Sequence, residues 1–109
     1  MGNSAAKQSL KALRAFAKSV GYKGDIMDGV VTECAGGAIV EIRWKSKDLD
    51  GTLPVGDLNI PKLRVLDLND NKGLKGDVGK LVLPEGMQSM NFSYCDGLTG
   101  TSTAELEDE

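Results

Sequence analysis

Apolar residues recur along this chain with a period of 24 residues, from position 39 to 63 and from 63 to 87. Each of the three repeats opens with apolar positions spaced as apolar-x-x-apolar-x-apolar, and each continues to a Leu-x-Gly signal. The apolar triplets are Ile39/Ile42/Trp44, Leu63/Leu66/Leu68 and Met87/Met90/Phe92, and the signals are Leu49/Gly51, Leu74/Gly76 and Leu98/Gly100. Alternation of apolar and polar residues is typical of a strand. A period of this length predicts stacked units rather than a closed globule.

The repeats should turn their apolar residues inward and the residues between them outward. We therefore expect parallel strands with Ile42, Leu66 and Met90 in register. The outward residues form a surface that we call the sheet face: Glu41, Arg43, Lys45, Val65, Asp67, Asn69, Ser89, Asn91 and Ser93. Asn71 and Cys95 occupy the next inward position, where an amide can satisfy backbone groups and a thiol is a compact alternative.

A helical pattern precedes the repeats, from about Ser4 to Val20. The segment is rich in alanine, and Gly21 follows as a C-terminal stop. Its two faces are an apolar one, Leu10/Leu13/Phe16/Ala17/Val20, and a basic one, Lys7/Lys11/Arg14/Lys18. We expect the apolar face to cover the first repeat near Trp44. The basic face is either solvated or in peripheral contact with an anionic membrane.

These motifs resemble the leucine-rich repeat family, in particular the type whose repeat ends L-x-G-x-(I/L)-P. The closest match is residues 49–54, LDGTLP, and the segment 28–42 is similar to the N-terminal cap of that type. The resemblance covers residues 9–101. It implies an α/β solenoid, in which an N-terminal capping helix precedes three leucine-rich repeats that form a short parallel β-ladder with an irregular convex side. The implied divisions are a cap at 1–36, the repeats at 37–101 and an acidic tail at 102–109.

Charge is distributed unevenly over the 109 residues, which are enough for one domain. Residues 1–24 carry five basic residues and no acidic residue, which gives a charge of +5. The rest of the chain carries the other 8 of the 13 basic residues and all 16 acidic residues, which gives a charge of −8. The acidic surface argues against nucleic acid as a partner. Secreted leucine-rich repeat proteins pair cysteines in the cap, but Cys34 stands alone there. Two unpaired thiols, Cys34 and Cys95, favour a reducing intracellular compartment.

Catalytic and metal-binding signals are missing from the sequence. The chain has no histidine, which removes the usual general base and most metal sites. The cysteines lack the spacing of a zinc site, and the stretch around Asp67 and Asp70 lacks the glycine and distal glutamate of a calcium loop. We therefore expect neither an enzyme nor a bound cofactor.

The N-terminal sequence, MGNSAAK, looks like a myristoylation signal with Gly2 as the acceptor. The stricter motif has Ser or Thr where this chain has Ala6, so a chance match is the alternative. One myristoyl chain binds membrane only weakly, and the basic helix face would supply a second attraction.

Two functions remain open at this point. One is a protein-binding module that uses the sheet face. The other is a small accessory subunit of a larger assembly, which docks through the edge of the third repeat at Met90, Phe92 and Leu98. Since each repeat covers its apolar row with its neighbour, that last edge is expected to attract a partner. The sequence does not identify the partner.

Overall fold

The computed structural model describes residues 4–33 and 36–99, and its secondary structure begins with one helix, α1, at Ser4–Val20. Eight strands follow: β1 Val30–Thr32, β2 Ile39–Arg43, β3 Gly56–Asp57, β4 Val65–Asp67, β5 Lys75–Asp77, β6 Leu81–Val82, β7 Ser89–Asn91 and β8 Gly97–Thr99. A single 3₁₀ turn, Val78–Lys80, lies between β5 and β6. The predicted helix bounds are confirmed.

The strands form three sheets rather than one. The largest is four-stranded with the order β1-β2-β4-β7, and the others pair β3 with β6 and β5 with β8. The pairs β2–β4 and β4–β7 are parallel, and Ile42, Leu66 and Met90 are partners across them. The predicted register of these three residues is therefore confirmed. Strand β1 runs antiparallel to β2, so the sheet is mixed.

The predicted fold class, an α/β solenoid with one parallel β-ladder and an irregular convex side, is wrong. The chain folds back as an antiparallel hairpin at β1–β2, and the second and third Leu-x-Gly segments contribute to the strands β5 and β8 instead of forming irregular loops. Its radius of gyration is 13.2 Å, which matches the ~13 Å of a globular domain of about 100 residues. Neighbouring strands lie only about 4.8 Å apart, so three repeat segments span only roughly 10 Å in the direction in which they stack. One compact structure of a helix and three small sheets results.

One hydrophobic core joins α1 to all three repeat segments. The helix contributes Leu13, Phe16, Ala17 and Val20, which are all buried. Trp44 is fully buried against them, with its ring stacked on that of Phe16 at a centroid distance of 5.7 Å. The expectation that the helix covers the first segment at Trp44 is confirmed.

The C-terminus of α1 is fixed by backbone hydrogen bonds. Gly21 has a left-handed φ of 82°, and the N–H groups of Gly21 and Tyr22 donate to the carbonyls of Lys18 and Ala17, which is the pattern of a glycine-terminated helix. Two further carbonyls of the last turn accept N–H groups from the first Leu-x-Gly signal, Gly51 to Val20 and Thr52 to Ser19, each at 2.8 Å. These hydrogen bonds attach the C-terminal end of the helix to the first repeat segment.

Candidate functional site

The sheet face lies on the side of the main sheet opposite the core. Its side chains stand in rows because the strands are in register: Arg43, Asp67 and Asn91 are direct partners across β2, β4 and β7, and so are Glu41, Val65 and Ser89. A third row follows the strand ends, with Lys45, Asn69 and Ser93 spaced by the same 24 residues. The structure thus brings the six residues on the strands to one surface, whereas Lys45, Asn69 and Ser93 lie beyond the ends of β2, β4 and β7.

Local hydrogen bonds order the middle of this face. The Arg43 Nε donates to Glu41 Oε1 at 3.0 Å. The Asp67 carboxylate accepts the backbone N–H of Asn69, and the Asn91 side-chain oxygen accepts that of Ser93, each at 2.9 Å. Such contacts two residues ahead are local turns that fix the side chain on the backbone. The face is therefore largely pre-formed and keeps Lys45 and Ser89 exposed.

One side-chain acceptor on the face has no partner among the residues that the structure describes. The Oδ1 atom of Asn69 is shielded from solvent and accepts no hydrogen bond. Because most buried polar side-chain atoms are hydrogen-bonded, this oxygen is a point of local instability.

Beneath the sheet face, Asn71 connects the first two repeat segments. Its Oδ1 accepts the N–H groups of Lys47 and Leu49, and its Nδ2 donates to the carbonyls of Trp44 and Leu68, at 2.8–3.1 Å. This is the role that the sequence predicted for an inward amide. At the equivalent place in the third segment the Cys95 thiol is buried and donates to the Leu68 carbonyl at 3.0 Å. Burial raises the pKa of the Cys95 thiol above its ordinary value.

The turns that follow the three parallel strands share an unusual backbone conformation. Ser46, Asp70 and Tyr94, again 24 residues apart, have φ values of 54°, 62° and 59°. Ser46 Oγ donates to Asp70 Oδ2 at 2.7 Å, so two of these turns are tied together. Tyr94 is 70% exposed. Sequence analysis missed Tyr94, although its spacing from positions 46 and 70 could have identified the turn.

Strand β1 adds a residue to the face that sequence analysis also missed. Val31 pairs with Glu41 across the antiparallel hairpin and is 45% exposed. Directly opposed residues point to the same side of a sheet, so Val31 extends the row of Glu41, Val65 and Ser89. The alternation of Val30, Val31 and Thr32 could have indicated this strand.

The predicted edge residues differ in their exposure. Met90 and Phe92 are half-buried, whereas Leu98 is already buried at 7% exposure. Strand β7 is an edge strand of the four-stranded sheet, and β8 is an edge strand of the sheet that it forms with β5. Gly2, Cys34 and the acidic tail at 102–109 lie outside the described residues.

The basic face of α1 is present as expected. Its four cations are exposed, and none of them forms an ion pair within residues 4–33 and 36–99: Lys7, Lys11, Arg14 and Lys18. The apolar face of the same helix is buried in the core, so it is not free to enter a bilayer. No helix in the described part of the chain is long and apolar enough to cross a membrane.

Charged groups at the first segment form a small network around Trp44. Its Nε1 donates to the Asp28 carbonyl at 2.8 Å, and Lys47 Nζ contacts the Asp28 carboxylate at 3.1 Å. The hydrogen bond to Asp28 raises the pKa of Lys47, and burial raises that of Tyr22. Over residues 4–33 and 36–99, no three acidic or cysteine side chains converge as a metal site would require.

An open groove of about 910 Å³ lies between α1 and the loops that precede β4 and β7. Ala12 and Ala15 of the helix face Pro61 and Leu83 across it, and Lys11 borders it together with Glu85. Its lining is mixed, because polar and charged side chains stand among the apolar ones: Gln8, Lys11, Asp57, Asn59 and Glu85.

No family model matches this chain, and no curated protein or solved structure shows significant similarity to it.

Proposed function

We propose that this chain is a non-catalytic protein-binding module whose sheet face receives one short element of a protein partner. The observation that carries the proposal is the in-register row of Arg43, Asp67 and Asn91, flanked by two parallel rows. Rigid polar rows on a sheet can recognise a partner through side chains that need no rearrangement. The relation to leucine-rich repeat proteins rests on sequence motifs alone and belongs to the same proposal.

The dimensions of the face limit the partner. Three strands about 4.8 Å apart span roughly 10 Å, close to the diameter of one α-helix with its side chains, about 10–12 Å. Charge is concentrated on one side, because Glu41, Arg43 and Lys45 belong to the first segment and the third contributes only Ser89, Asn91 and Ser93. The fitting partner is therefore a single helix or loop that is charged at one end and uncharged at the other.

Site-specific photocrosslinking tests this proposal. A photoreactive side chain at the exposed Ser89 position should capture a specific protein in cells of the native source. The same side chain at the exposed Lys62, outside the sheet face, is the control and should not.

A charge-exchange variant then tests whether the captured protein is bound by the rows of side chains on the sheet face. Arg43→Glu combined with Asp67→Arg preserves net charge and should abolish the crosslink at position 89. The matched variant Lys62→Glu/Glu85→Lys, with both changes at exposed positions in turns, should leave it intact. Equal capture by the two variants would exclude the sheet face as the binding surface.

A second candidate is an accessory subunit that docks through the edge of β7, with peripheral membrane contact through α1. It is favoured by the half-buried Met90 and Phe92 and by the exposed cations of the helix. Since the helix buries its apolar face, such membrane contact is electrostatic, and salt should reverse it. Flotation with vesicles of neutral and anionic lipid tests it, with Lys11→Glu/Lys18→Glu as the variant. Binding that ignores lipid charge would contradict this candidate.

A further inference from the structure

Four of the nine residues of the sheet face are charged, and two of them neutralise each other. The Arg43 Nε donates to Glu41 Oε1 at 3.0 Å, so this pair is satisfied within β2. Asp67 is the direct partner of Arg43 on β4 but forms no ion pair within the described residues. The exposed Lys45 forms none there either. The face therefore offers a partner one anion and one cation.

These two unpaired charges have fixed positions relative to each other. Trp44 N–H donates to the Asp67 carbonyl at 2.8 Å. Ser46 N–H donates to the Asn69 carbonyl at 3.0 Å, so the backbone ladder between β2 and β4 continues beyond the strand ends. Lys45 consequently lies beside Asn69, two residues further along than Asp67. One strand spacing and two residues along the strand separate the backbones of Lys45 and Asp67 by roughly 8 Å.

The side chain of Asn69 supplies a second acceptor close to Asp67. Its Oδ1 atom is shielded from solvent and accepts no hydrogen bond within the described residues. Such an acceptor is costly, and because the terminal torsion of asparagine is broad, a rotation can turn this oxygen toward a donor above the face. The Asp67 Oδ1 already accepts the Asn69 N–H, which leaves its Oδ2 for the same donor. A guanidinium suits this arrangement, since its planar fork carries five N–H groups whereas an ammonium is a point charge.

We propose that the partner of the sheet face is a helix that carries an arginine and an acidic residue one turn apart. The arginine binds Asp67 and Asn69, and the acidic residue binds Lys45. Residues four apart on a helix are separated by about 6 Å along its axis, a distance from which two long side chains reach charges roughly 8 Å apart. This inference rests on the proposed function, because it concerns the same surface, and it adds the chemistry that the partner must have.

A phage-displayed library of single helices, selected on the full chain, supplies the probe. Helices that bind should be enriched in arginine four residues from aspartate or glutamate. Isothermal titration calorimetry then measures a synthetic copy of one enriched helix. Asp67→Asn should weaken its binding about tenfold, because the substitution keeps the shape and removes the charge from the hydrogen bonds. Lys62→Gln, at an exposed position outside the sheet face, is the control and should bind like wild type.

Charge exchange separates recognition from folding. The variant Lys45→Glu/Asp67→Lys reverses both unpaired charges and should lose binding to the enriched helix. A helix in which the arginine and the acidic residue have exchanged places should bind this variant at least about tenfold more tightly than it binds wild type. Circular dichroism checks that the variant folds, and Asp67→Asn decides the question if it does not.

The choice of arginine over lysine is tested at Asn69. Lysine in place of the helix arginine should weaken binding to wild type severalfold and have little effect on binding to Asn69→Ala. Recovery of no helix, recovery of helices without the charged pair, or equal binding by wild type and Asp67→Asn overturns the inference. Photocrosslinking at Ser89 does not depend on the charge pattern of the partner, so it still decides the proposed function by itself.

Discussion

Equivalent repeat positions at the two ends of the main sheet differ in how deeply their side chains are buried. Trp44, Leu68 and Phe92 are equivalent residues 24 positions apart, and the first two are fully buried while Phe92 is half-buried. Trp44 is covered by Phe16 of α1 and by Tyr22, with ring centroids 5.7 and 4.4 Å away. Burial at this position is therefore provided by the neighbouring element and not by the residue's own segment, and the third segment has no such neighbour among the described residues.

Truncating the aromatic side chain at each end should give the largest difference. Trp44→Ala should lower the free energy of unfolding by about 3–5 kcal/mol, because it leaves a cavity under the helix. Phe92→Ala should cost about 1–2 kcal/mol, since part of its apolar surface is already in water. Urea denaturation followed by circular dichroism measures both. Equal losses would show that α1 does not stabilise the first segment through Trp44.

A second comparison uses the inward polar position. Asn71→Ala removes partners from the buried N–H of Leu49 and from the carbonyls of Trp44 and Leu68, at about 2–4 kcal/mol in total. Cys95→Ala removes one thiol contact and should cost about 1 kcal/mol. Chemical denaturation of the two variants provides the measurement. A Cys95 variant as unstable as the Asn71 variant would contradict this ranking.

The attachment of the helix can be weakened at a single glycine. A methyl group at Gly51 would collide with the backbone carbonyl of Ser19, so Gly51→Ala should cost about 1–3 kcal/mol, as overpacking does. At Gly86 a methyl group meets nothing within 4 Å, and Gly86→Ala is the control with little or no loss. Thermal unfolding compares them, and a stable Gly51 variant would mean that the helix end is not held by this contact.

Alkaline pH should give the smallest effect. Folding raises the pKa of Cys95, Tyr22 and Lys47 above their ordinary values of 9.0, 10.0 and 10.5. A raised pKa means that the folded state holds the proton more tightly, so this stabilisation is complete below the ordinary value and is lost as pH rises through the folded-state pKa.

The melting temperature should therefore fall as pH rises above about 9, with the third segment affected first through Cys95. Cys95→Ala should remove the part of the decrease that occurs at the lowest pH, and Lys47→Met should remove the part that occurs at the highest pH. Melting curves recorded from neutral to alkaline pH test this order. A melting temperature that is constant through the titration range would contradict it.

The sequence predicted the features that depend on local periodicity. The bounds of α1, the burial of Trp44, the register of Ile42 with Leu66 and the inward role of Asn71 all follow from apolar spacing and side-chain chemistry. The fold class was wrong because strand formation by segments such as Lys75–Asp77 depends on pairing with Gly97–Thr99, for which a Leu-x-Gly signal gives no local pattern. Pairing between distant segments is set by tertiary context.

The limits of the candidate surface could not be predicted from the sequence. Alternation predicted the residues of the sheet face, and the six that lie on β2, β4 and β7 are in register in the structure. It could not show that Val31 joins them, because this requires the hairpin with β2. Nor could it show the exposure of Tyr94, since a left-handed turn is usually indicated by glycine or asparagine and not by tyrosine. Binding of a protein to this face and attachment of a lipid to Gly2 both stay predictions.

The buried thiol of Cys95 can be used to measure how often the third segment opens to solvent. Only the thiolate reacts with alkylating reagents, and this thiol is shielded from solvent and kept protonated by its surroundings. Labelling must therefore wait until the segment opens, so its rate reports the free energy of that opening. In a Cys34→Ser variant, Cys95 is the one remaining cysteine. Its labelling rate would then measure opening of the third segment while the first segment stays folded.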